Sequence, residues 1–330
     1  MRHRVSVFIP TFNREDLVAE AIQSILTQDI EEAIEIIIID DASTDRTVEV
    51  IEELLRTYSG KHKVVFVRSE ENKGFEQYNE LIRLAAGEFI VVAHSDDIAE
   101  PHRVRRLFEL YQTYGIGTYF SNAMTVDGVG NSLGLYVDEE KDELGGLDGI
   151  IEVELLIKNP WNKHMLGATM AFHRAILEDF PPIDGDHVYS NGEDSVFGLR
   201  GALIGVSYYH RDPLVKYRVH QESLTGIAVD SGSVDMAITE SAMTDRMRSR
   251  AVGVDDIKHL SMAEPTNNEF KRLRFIALDA LAQSALRQSA LKRKMIKSGQ
   301  RQMWITEEEY RQRLHQIGRT ASKAKIEDVQ

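Results

Sequence analysis

The chain has no cysteine and a deficit of basic residues. Without cysteine it forms no disulfide and offers no thiolate, so a metal ion could be held only by oxygen or imidazole groups. The 39 Lys and Arg residues stand against 53 Asp and Glu, which gives a formal net charge of -14. Such an acidic chain is a poor general binder of nucleic acid, because neutralising phosphates requires a basic surface.

Long hydrophobic runs are also missing. No stretch of about 18 apolar residues exists that could span a membrane, and the first residues, MRHRVSVFIPTFN, lack the apolar segment and cleavage site of a secretory signal. We therefore expect a cytoplasmic protein. With 330 residues and 42% hydrophobic content, the chain is long enough for two domains, or for one large domain with an appendage.

The charge is divided unevenly along the chain. Residues 231–330 carry 18 Lys and Arg against 13 Asp and Glu, whereas residues 1–230 carry 21 against 40. The later region also shows apolar residues at helical spacing, followed by the basic stretch LKRKMIKSGQR: Phe275, Leu278, Ala282, Ala285, Leu286 and Ser289. We predict one domain at 1–230 and a helical extension at 231–330, which packs on that domain, pairs with itself in a homodimer or contacts anionic lipid.

Strand and helix patterns alternate in the first region. The apolar runs VSVFI, EIIIID, KVVFVR and EFIVVA are separated by segments whose apolar residues fall on one helical face. EIIIID shows no polar alternation, as expected of a strand that is covered on both faces. The pattern predicts an α/β fold of Rossmann-like type with a mostly parallel central sheet.

Polar residues follow these strands directly. Thr11, Phe12 and Asn13 come after the first strand, Asp40 and Asp41 end the second, and SDD at 95–97 follows the fourth. Ligands of open parallel sheets bind at the carboxyl ends of the strands. The chain has neither the GxGxxG nor the GxxxxGK[ST] phosphate-binding pattern. Clustered carboxylates instead suit Mg²⁺ or Mn²⁺, and the ligand they imply is a metal-chelated diphosphate.

Several segments carry a family resemblance: VSVFIPTFNREDLVAEAIQSILTQ, IIIIDDASTDRT, ENKG, AAGEFIVVAHSDD and NGEDSVFGLRG. They resemble the family 2 glycosyltransferases, which are inverting enzymes with a glycosyltransferase A-type fold that use nucleotide-diphosphate sugars. The resemblance covers roughly Val5 to His220, and it implies that residues 1–230 form a nucleotide-sugar-binding and catalytic domain. It implies a UDP- or dTDP-sugar as donor, a glycan or lipid-linked acceptor and Mn²⁺ or Mg²⁺ as cofactor.

The resemblance also implies roles for individual residues. The nucleotide base would lie against Thr11, Phe12 and Asp41, while Asp96 would contact the ribose and Asp97 the metal ion. His220 would be a second metal or phosphate ligand. The full set of implied donor contacts is Pro10, Thr11, Phe12, Asn13, Asp41, Lys73, Gly74, Asp96 and Arg218. In one respect the chain departs from the family pattern, because His94 stands in HSDD where relatives often have an aspartate. Instead of taking part in the metal site, His94 could contact the nucleotide.

Inverting transfer needs a carboxylate base for the acceptor hydroxyl, a cation for the leaving diphosphate and a cleft that excludes water. The resemblance assigns the base to Asp194, with Glu193 orienting it or binding the acceptor. Trp161 could stack on an acceptor sugar or anchor the core equally well. Two other functions stay open: a sugar nucleotidyltransferase, and a nucleotide-sugar-binding protein of the same fold without catalysis.

Overall fold

The computed structural model describes residues 4–138, 140, 142, 146–159, 162–183, 193–219, 236–264 and 266–297, with the backbone alone for 236–249 and 287–297. The chain divides into two compact units, Met1–Ser233 and Val234–Gln330. The proposed assignment of catalysis to residues 1–230 and of a separate role to residues 231–330 stays a prediction.

One ten-stranded sheet organises the described part of the first unit. Its strands are β1 Val5–Thr11, β2 Glu35–Asp40, β3 Lys63–Arg68, β4 Phe89–Val92, β5 Ile98–Ala99, β6 Gly117–Val126, β7 Ser132–Leu135, β8 Gly149–Ile150, β9 Ala171–His173 and β10 Val206–Arg218. The helices are α1 Val18–Leu26, α2 Thr47–Thr57, α3 Gln77–Leu84, α4 Arg103–Tyr114, α5 Val153–Lys158, α6 Ala175–Glu178 and α7 Glu193–Ile204. Short 3-10 turns lie at Gly74–Glu76 and Gly167–Thr169.

The strand order is β3-β2-β1-β4-β9-β6-β10-β5. Strands β1 to β4 are parallel, as the alternating sequence pattern predicts. Strand β9 then lies between β4 and β6 and is antiparallel to both. This insertion brings the Gly167–Thr169 turn, which directly precedes β9, close to the carboxyl end of β4.

Burial explains the local pattern of β2. Its residues Ile36 to Ile39 are all 0% exposed, because helices cover the sheet and leave no face in water. Helix α1 buries Val18, Ala21, Ile22, Ile25 and Leu26 against this sheet. These residues match the apolar stripe expected from the sequence.

A loop that contains Asn13 separates strand β1 from helix α1. The helix begins at Val18 and has no side-chain cap. Asn13 lies in the preceding loop with a positive φ of 49°, and its Oδ1 accepts a hydrogen bond from the Thr44 N–H (2.8 Å). Asn13 therefore joins the loops that follow β1 and β2.

The second unit contains two long helices, Met236–Ala263 and Asn268–Lys297, as the helical spacing predicted. Within the later helix, Leu273, Ala277 and Ala285 are buried. Phe275 and Leu286 are 60% and 71% exposed, so the predicted apolar stripe is only partly the buried one. In the described residues, no helix combines the length and the apolar character needed to cross a membrane.

Candidate active site

The loops after β1 and β2 are tied together at the carboxyl edge of the sheet. The Asn13 N–H donates to Ser43 Oγ (2.9 Å), and the Thr44 N–H donates to Asn13 Oδ1. Asn13 and Ala42 are the non-glycine residues with positive φ in the described part of the chain, at 49° and 63°. Left-handed backbone is strained for such residues and persists where surrounding contacts hold it. These contacts set the shape of the loop edge on which the predicted donor site lies.

Asp41 is buried and orders a third loop. Its carboxylate accepts hydrogen bonds from the backbone N–H groups of Lys73 and Gly74, each at 2.8 Å. Gly74 has a φ of +53°, a conformation that side chains rarely adopt. The Lys73 ammonium lies 3.4 Å from Glu80 Oε2. The structure thus brings together three of the predicted donor-binding residues, Asp41, Lys73 and Gly74.

Polar atoms at the ends of β1 and β2 lack protein partners. Thr11 Oγ1 and Asp40 Oδ2 are buried and form no hydrogen bond within the described structure. Thr11 and Asp40 are neighbours in the sheet register. Next to them Phe12 is 42% exposed, and Pro10 is half-buried. Because buried polar groups are usually hydrogen-bonded, unpaired groups of this kind at a strand end are consistent with a polar ligand.

The segment after β4 forms a cluster suited to a divalent cation. Asp97 is 5% exposed; its Oδ1 accepts a hydrogen bond from the Arg218 N–H (2.8 Å), while its Oδ2 has no hydrogen-bond partner in the described part. His94 Nδ1 lies 4.0 Å from that Oδ2. One ligand atom from each of His94, Asp96 and Asp97 lies within 4.8 Å of the others. The buried, unpaired carboxylate oxygen fits a metal site.

Burial and the neighbouring Asp96 hold the pKa of Asp97 well above its usual range. A bound cation would counteract this effect, because it favours the charged carboxylate. Burial also lowers the pKa of His94, against an opposing effect of Asp96. The neutral imidazole favoured in this way is the form that can bind a metal.

Arg14 and Arg218 hold the acidic segment in place. Arg14 Nε donates to Asp96 Oδ2 at 3.2 Å. The Arg218 guanidinium donates to the Asp96 carbonyl (3.1 Å), the Gly128 carbonyl (3.0 Å) and Glu20 Oε2 (2.7 Å). In this conformation Arg218 therefore supports the loop, and its contact with the donor stays a prediction.

Glu193 and Asp194 begin helix α7. Asp194 Oδ1 accepts hydrogen bonds from the Ser195 N–H (2.6 Å) and the Ser195 hydroxyl (3.3 Å). Burial raises the pKa of Asp194 to about 6, against the opposing hydrogen bonds from Ser195 and from the Gly167 backbone. Burial and the charge of Asp194 raise the pKa of Glu193 to about 8. Near neutral pH the pair is thus one carboxylate, Asp194, beside one carboxylic acid, Glu193.

Gly167 lies between the cluster of His94, Asp96 and Asp97 and the pair of Glu193 and Asp194. A β-carbon at this position would be 3.0 Å from Glu193 Oε1, 3.7 Å from His94 Cε1 and 3.8 Å from Asp194 Cβ. The cluster suited to a cation and the Glu193–Asp194 pair therefore lie next to each other, on either side of Gly167. Such an arrangement can serve a reaction in which a carboxylate accepts a proton close to a metal-bound diphosphate.

Comparison with known protein families identifies the family of this chain. Residues 6–180 match the family described as Glycosyl transferase family 2. This chain belongs to that family. An uncharacterized glycosyltransferase, alr2836 of Nostoc sp., is 29% identical over 218 residues, which are 66% of this chain and 65% of the relative. The match thus spans slightly less than two thirds of that relative.

Two solved structures share the fold. Staphylococcus aureus TarS 1–349 in complex with UDP-GlcNAc has a TM-score of 0.53 and 17% identity, covering 87% of this chain and 83% of that one. The mannosyltransferase PcManGT from Pyrobaculum calidifontis, in complex with GDP-Man and Mn²⁺, has a TM-score of 0.50 and 17% identity, covering 100% and 88%. The predicted glycosyltransferase A-type fold is confirmed.

In this family 2 member, two predicted contributors lie outside the described residues. They are His220, the predicted second metal or phosphate ligand, and Trp161, which could stack on an acceptor sugar or anchor the core. The other predicted site residues are described, and their chemical roles stay predictions.

Sequence reasoning did not single out three residues that shape this site: Arg14, Arg103 and Gly167. Arg103 is 1% exposed and donates to the Val92 carbonyl (2.6 Å) and the Ala168 carbonyl (2.9 Å). It therefore joins the end of β4 to the turn that contains Gly167. Its partners are 11 and 65 residues away in sequence, and no local pattern predicts such contacts.

Proposed function

We propose that this chain is a metal-dependent inverting glycosyltransferase. It would transfer one sugar from a nucleotide-diphosphate sugar, UDP- or dTDP-linked, to a glycan or lipid-linked acceptor. The observation that carries the proposal is the meeting of the His94–Asp97 cluster and the Glu193–Asp194 pair at Gly167. Membership of glycosyl transferase family 2 supports the reaction class.

Asp194 is the proposed base. The acceptor hydroxyl gives its proton to the Asp194 carboxylate, and the acceptor oxygen forms the new bond to the anomeric carbon. The bond from that carbon to the diphosphate breaks, and its electron pair leaves with the nucleoside diphosphate. With a pKa of about 6, Asp194 is ionised at neutral pH yet basic enough to take the proton. Glu193, with a pKa of about 8, stays protonated and adds no second charge.

The donor would lie along the carboxyl ends of β1, β2 and β4. The nucleotide base would be held by Thr11, Phe12 and Asp41. The surrounding loops would be completed by Pro10, Asn13, Lys73 and Gly74. Asp96 would contact the ribose, and Asp97 with His220 would hold Mn²⁺ or Mg²⁺. When bound, the cation would neutralise charge on the leaving diphosphate. Because Gly167 has no side chain, it leaves room between His94 in the donor site and the Glu193–Asp194 pair.

The helical region at 231–330 has a separate proposed role. Its basic stretch could dock on the acidic catalytic unit, support a homodimer or contact anionic lipid at the inner face of the membrane, in that order of preference. A cytoplasmic location is part of the same proposal.

Turnover of a donor panel tests this function. Release of nucleoside diphosphate from UDP-, dTDP- and GDP-sugars is measured with and without glycan acceptors, and with and without EDTA. We expect release that depends on acceptor and is stopped by EDTA. The absence of turnover with every donor, while nucleotides still bind, would favour a binding protein without catalysis.

The Asp194→Asn variant tests the base. We expect it to lower the transfer rate by about 10²–10⁴-fold, the usual contribution of a general base, while nucleotide affinity stays the same. Asp255→Asn, at an exposed position in the helix Met236–Ala263, is the matched control and should transfer normally. Normal transfer by Asp194→Asn would show that another group accepts the proton.

A further inference from the structure

His94 occupies a position where the family resemblance expects an aspartate. At this position a carboxylate, which offers oxygen atoms, is replaced by an imidazole, which offers nitrogen, in the loop that carries Asp97. The ring is 30% exposed, so it lies at the surface of the cluster. Its Cε1 lies close to Gly167 and therefore faces the gap beside the Glu193–Asp194 pair.

The distance between His94 and Asp97 suits one shared ion. His94 Nδ1 and Asp97 Oδ2 are 4.0 Å apart. With metal–ligand bonds of about 2.1 Å, two ligands of one ion can be at most about 4.2 Å apart. The observed pair lies just inside this limit, so binding needs little movement of either side chain.

The surroundings leave Asp97 Oδ2 as the oxygen available to the ion. The other oxygen of Asp97 is held by the Arg218 N–H. Asp96 already has a cationic partner, because Arg14 Nε donates to its Oδ2 at 3.2 Å. Asp97 Oδ2, in contrast, is buried and has no hydrogen-bond partner among the described residues. A buried carboxylate oxygen without a partner is costly, and a cation beside His94 would satisfy it.

The nitrogen ligand changes which ions the site favours. Mg²⁺ is a hard ion that prefers six oxygen ligands in near-ideal octahedral geometry. Imidazole binds the later divalent metals more strongly, and affinity for nitrogen-containing sites rises from Mn²⁺ to Co²⁺ and Ni²⁺. An aspartate at position 94 would make the same loop a better Mg²⁺ site.

We propose that His94 Nδ1 is a direct ligand of the divalent cation and makes this site prefer Mn²⁺ and Co²⁺ over Mg²⁺. The inference builds on the metal dependence of the proposed function. It names His94 as a ligand beside Asp97, and it makes ion selectivity a property of the HSDD sequence.

Pulsed electron paramagnetic resonance of bound Mn²⁺ tests the ligand directly. Tag-free protein is measured with Mn²⁺ in the presence of UDP. We expect modulation of the electron spin echo by a coordinated ¹⁴N nucleus in the wild-type protein and in His220→Ala, where His94 is the remaining proposed imidazole ligand. The modulation should be lost in the double variant His94→Asp/His220→Ala. His102→Asp, the same change at an exposed histidine, is the control and should keep the signal.

Two spectroscopic outcomes would overturn the proposal. One is a wild-type spectrum that contains bound Mn²⁺ but no nitrogen coupling. The other is a nitrogen signal that survives in His94→Asp and disappears in His220→Ala, because the ligand would then be His220. Failure of the wild-type protein to bind Mn²⁺ at all would overturn both this proposal and the metal dependence of the proposed function.

Competition between ions gives a second readout that does not depend on activity. Mn²⁺ binding is titrated calorimetrically with and without excess Mg²⁺. Replacing the imidazole nitrogen by a carboxylate oxygen should weaken Mn²⁺ binding relative to Mg²⁺ binding, because Mg²⁺ prefers oxygen ligands. We therefore expect the ratio of Mn²⁺ to Mg²⁺ affinity to fall in His94→Asp. An unchanged ratio would contradict the proposal while leaving metal-dependent transfer intact.

Discussion

At the scale of single residues, the neighbouring carboxyl groups Glu193 and Asp194 have different acidities. Burial raises the pKa of both, and the charge of Asp194 raises that of Glu193 further. Hydrogen bonds from Ser195 and from the Gly167 backbone offset part of the effect of burial on Asp194. The two groups can therefore play different parts at one pH, although they are adjacent in sequence.

The pH dependence of transfer follows from these acidities. Because the base must be ionised, kcat/KM should fall about tenfold per pH unit below the Asp194 pKa of about 6. It should also fall above the Glu193 pKa of about 8, where a second negative charge forms beside the base. Steady-state kinetics from about pH 5 to 9 measure the profile. A flat acidic side would contradict the assignment of Asp194.

Ala42 has a φ of 63°, which glycine adopts more readily than alanine. We expect Ala42→Gly to stabilise the protein by about 1 kcal/mol, because it removes left-handed strain at the loop after β2. Urea unfolding measures the change. Ala85→Gly is the control: Ala85 has a φ of -71°, so the glycine there relieves no strain and should destabilise. A loss of stability in Ala42→Gly would show that the loop does not hold this strain.

At the scale of secondary structure, Arg103 connects three elements. It is the first residue of α4, and its guanidinium donates to carbonyls of β4 and of the Gly167–Thr169 turn. Burial lowers the pKa of Arg103 to about 10, so the side chain stays charged at neutral pH. A buried charge with two carbonyl partners thus holds the end of β4 against the Gly167–Thr169 turn.

We expect Arg103→Met to destabilise the protein by about 2–3 kcal/mol, because two buried carbonyls lose a charged donor. It should also lower kcat more than it raises the KM for the donor, since the donor contacts stay and the position of the base changes. Arg103→Lys should restore part of kcat, because one ammonium can still reach a carbonyl. Equal loss of kcat in both variants, with KM unchanged, would contradict a role in positioning through these hydrogen bonds.

At the scale of the whole molecule, ionisation of the buried Glu193 carboxyl group lowers the stability of the folded state. Glu193 has a pKa of about 8 in the folded protein against an ordinary value of 4.5 for a glutamate side chain. A group whose pKa is raised by folding favours the folded state while protonated, and this contribution is lost as the pH rises towards the folded pKa. Stability of the ligand-free protein should therefore decline between about pH 4.5 and 8.

The Glu193→Gln variant tests this effect. Glutamine cannot ionise, so the variant should gain stability over wild type as the pH rises from about 4.5, by a few kcal/mol near pH 8. Urea unfolding midpoints at several pH values measure the difference. Exposed Glu31→Gln is the control and should follow wild type. A constant difference across this range would mean that Glu193 is not perturbed by burial.

The local sequence pattern was sufficient to predict many of the strands and helices of this fold. Runs such as EIIIID indicate a strand buried on both faces, and helical spacing indicates the covering helices, because burial repeats with the geometry of each element. Chain direction then brings the residues after parallel strands to one edge, which is why Thr11, Asp41 and Asp97 could be grouped in advance. The family of the chain could be recognised from the same segments.

Only the tertiary structure decided which side chains meet. It brings His94, Gly167 and Glu193 together, turns the guanidinium of Arg218 onto backbone carbonyls and places antiparallel β9 beside β4. Hydrogen bonds and charge contacts act over a few ångströms in space, between residues far apart in sequence, and leave no periodic signal in the chain. The sequence by itself therefore determined the elements and the edge of the sheet where polar residues gather, while their partners and acidities depend on packing.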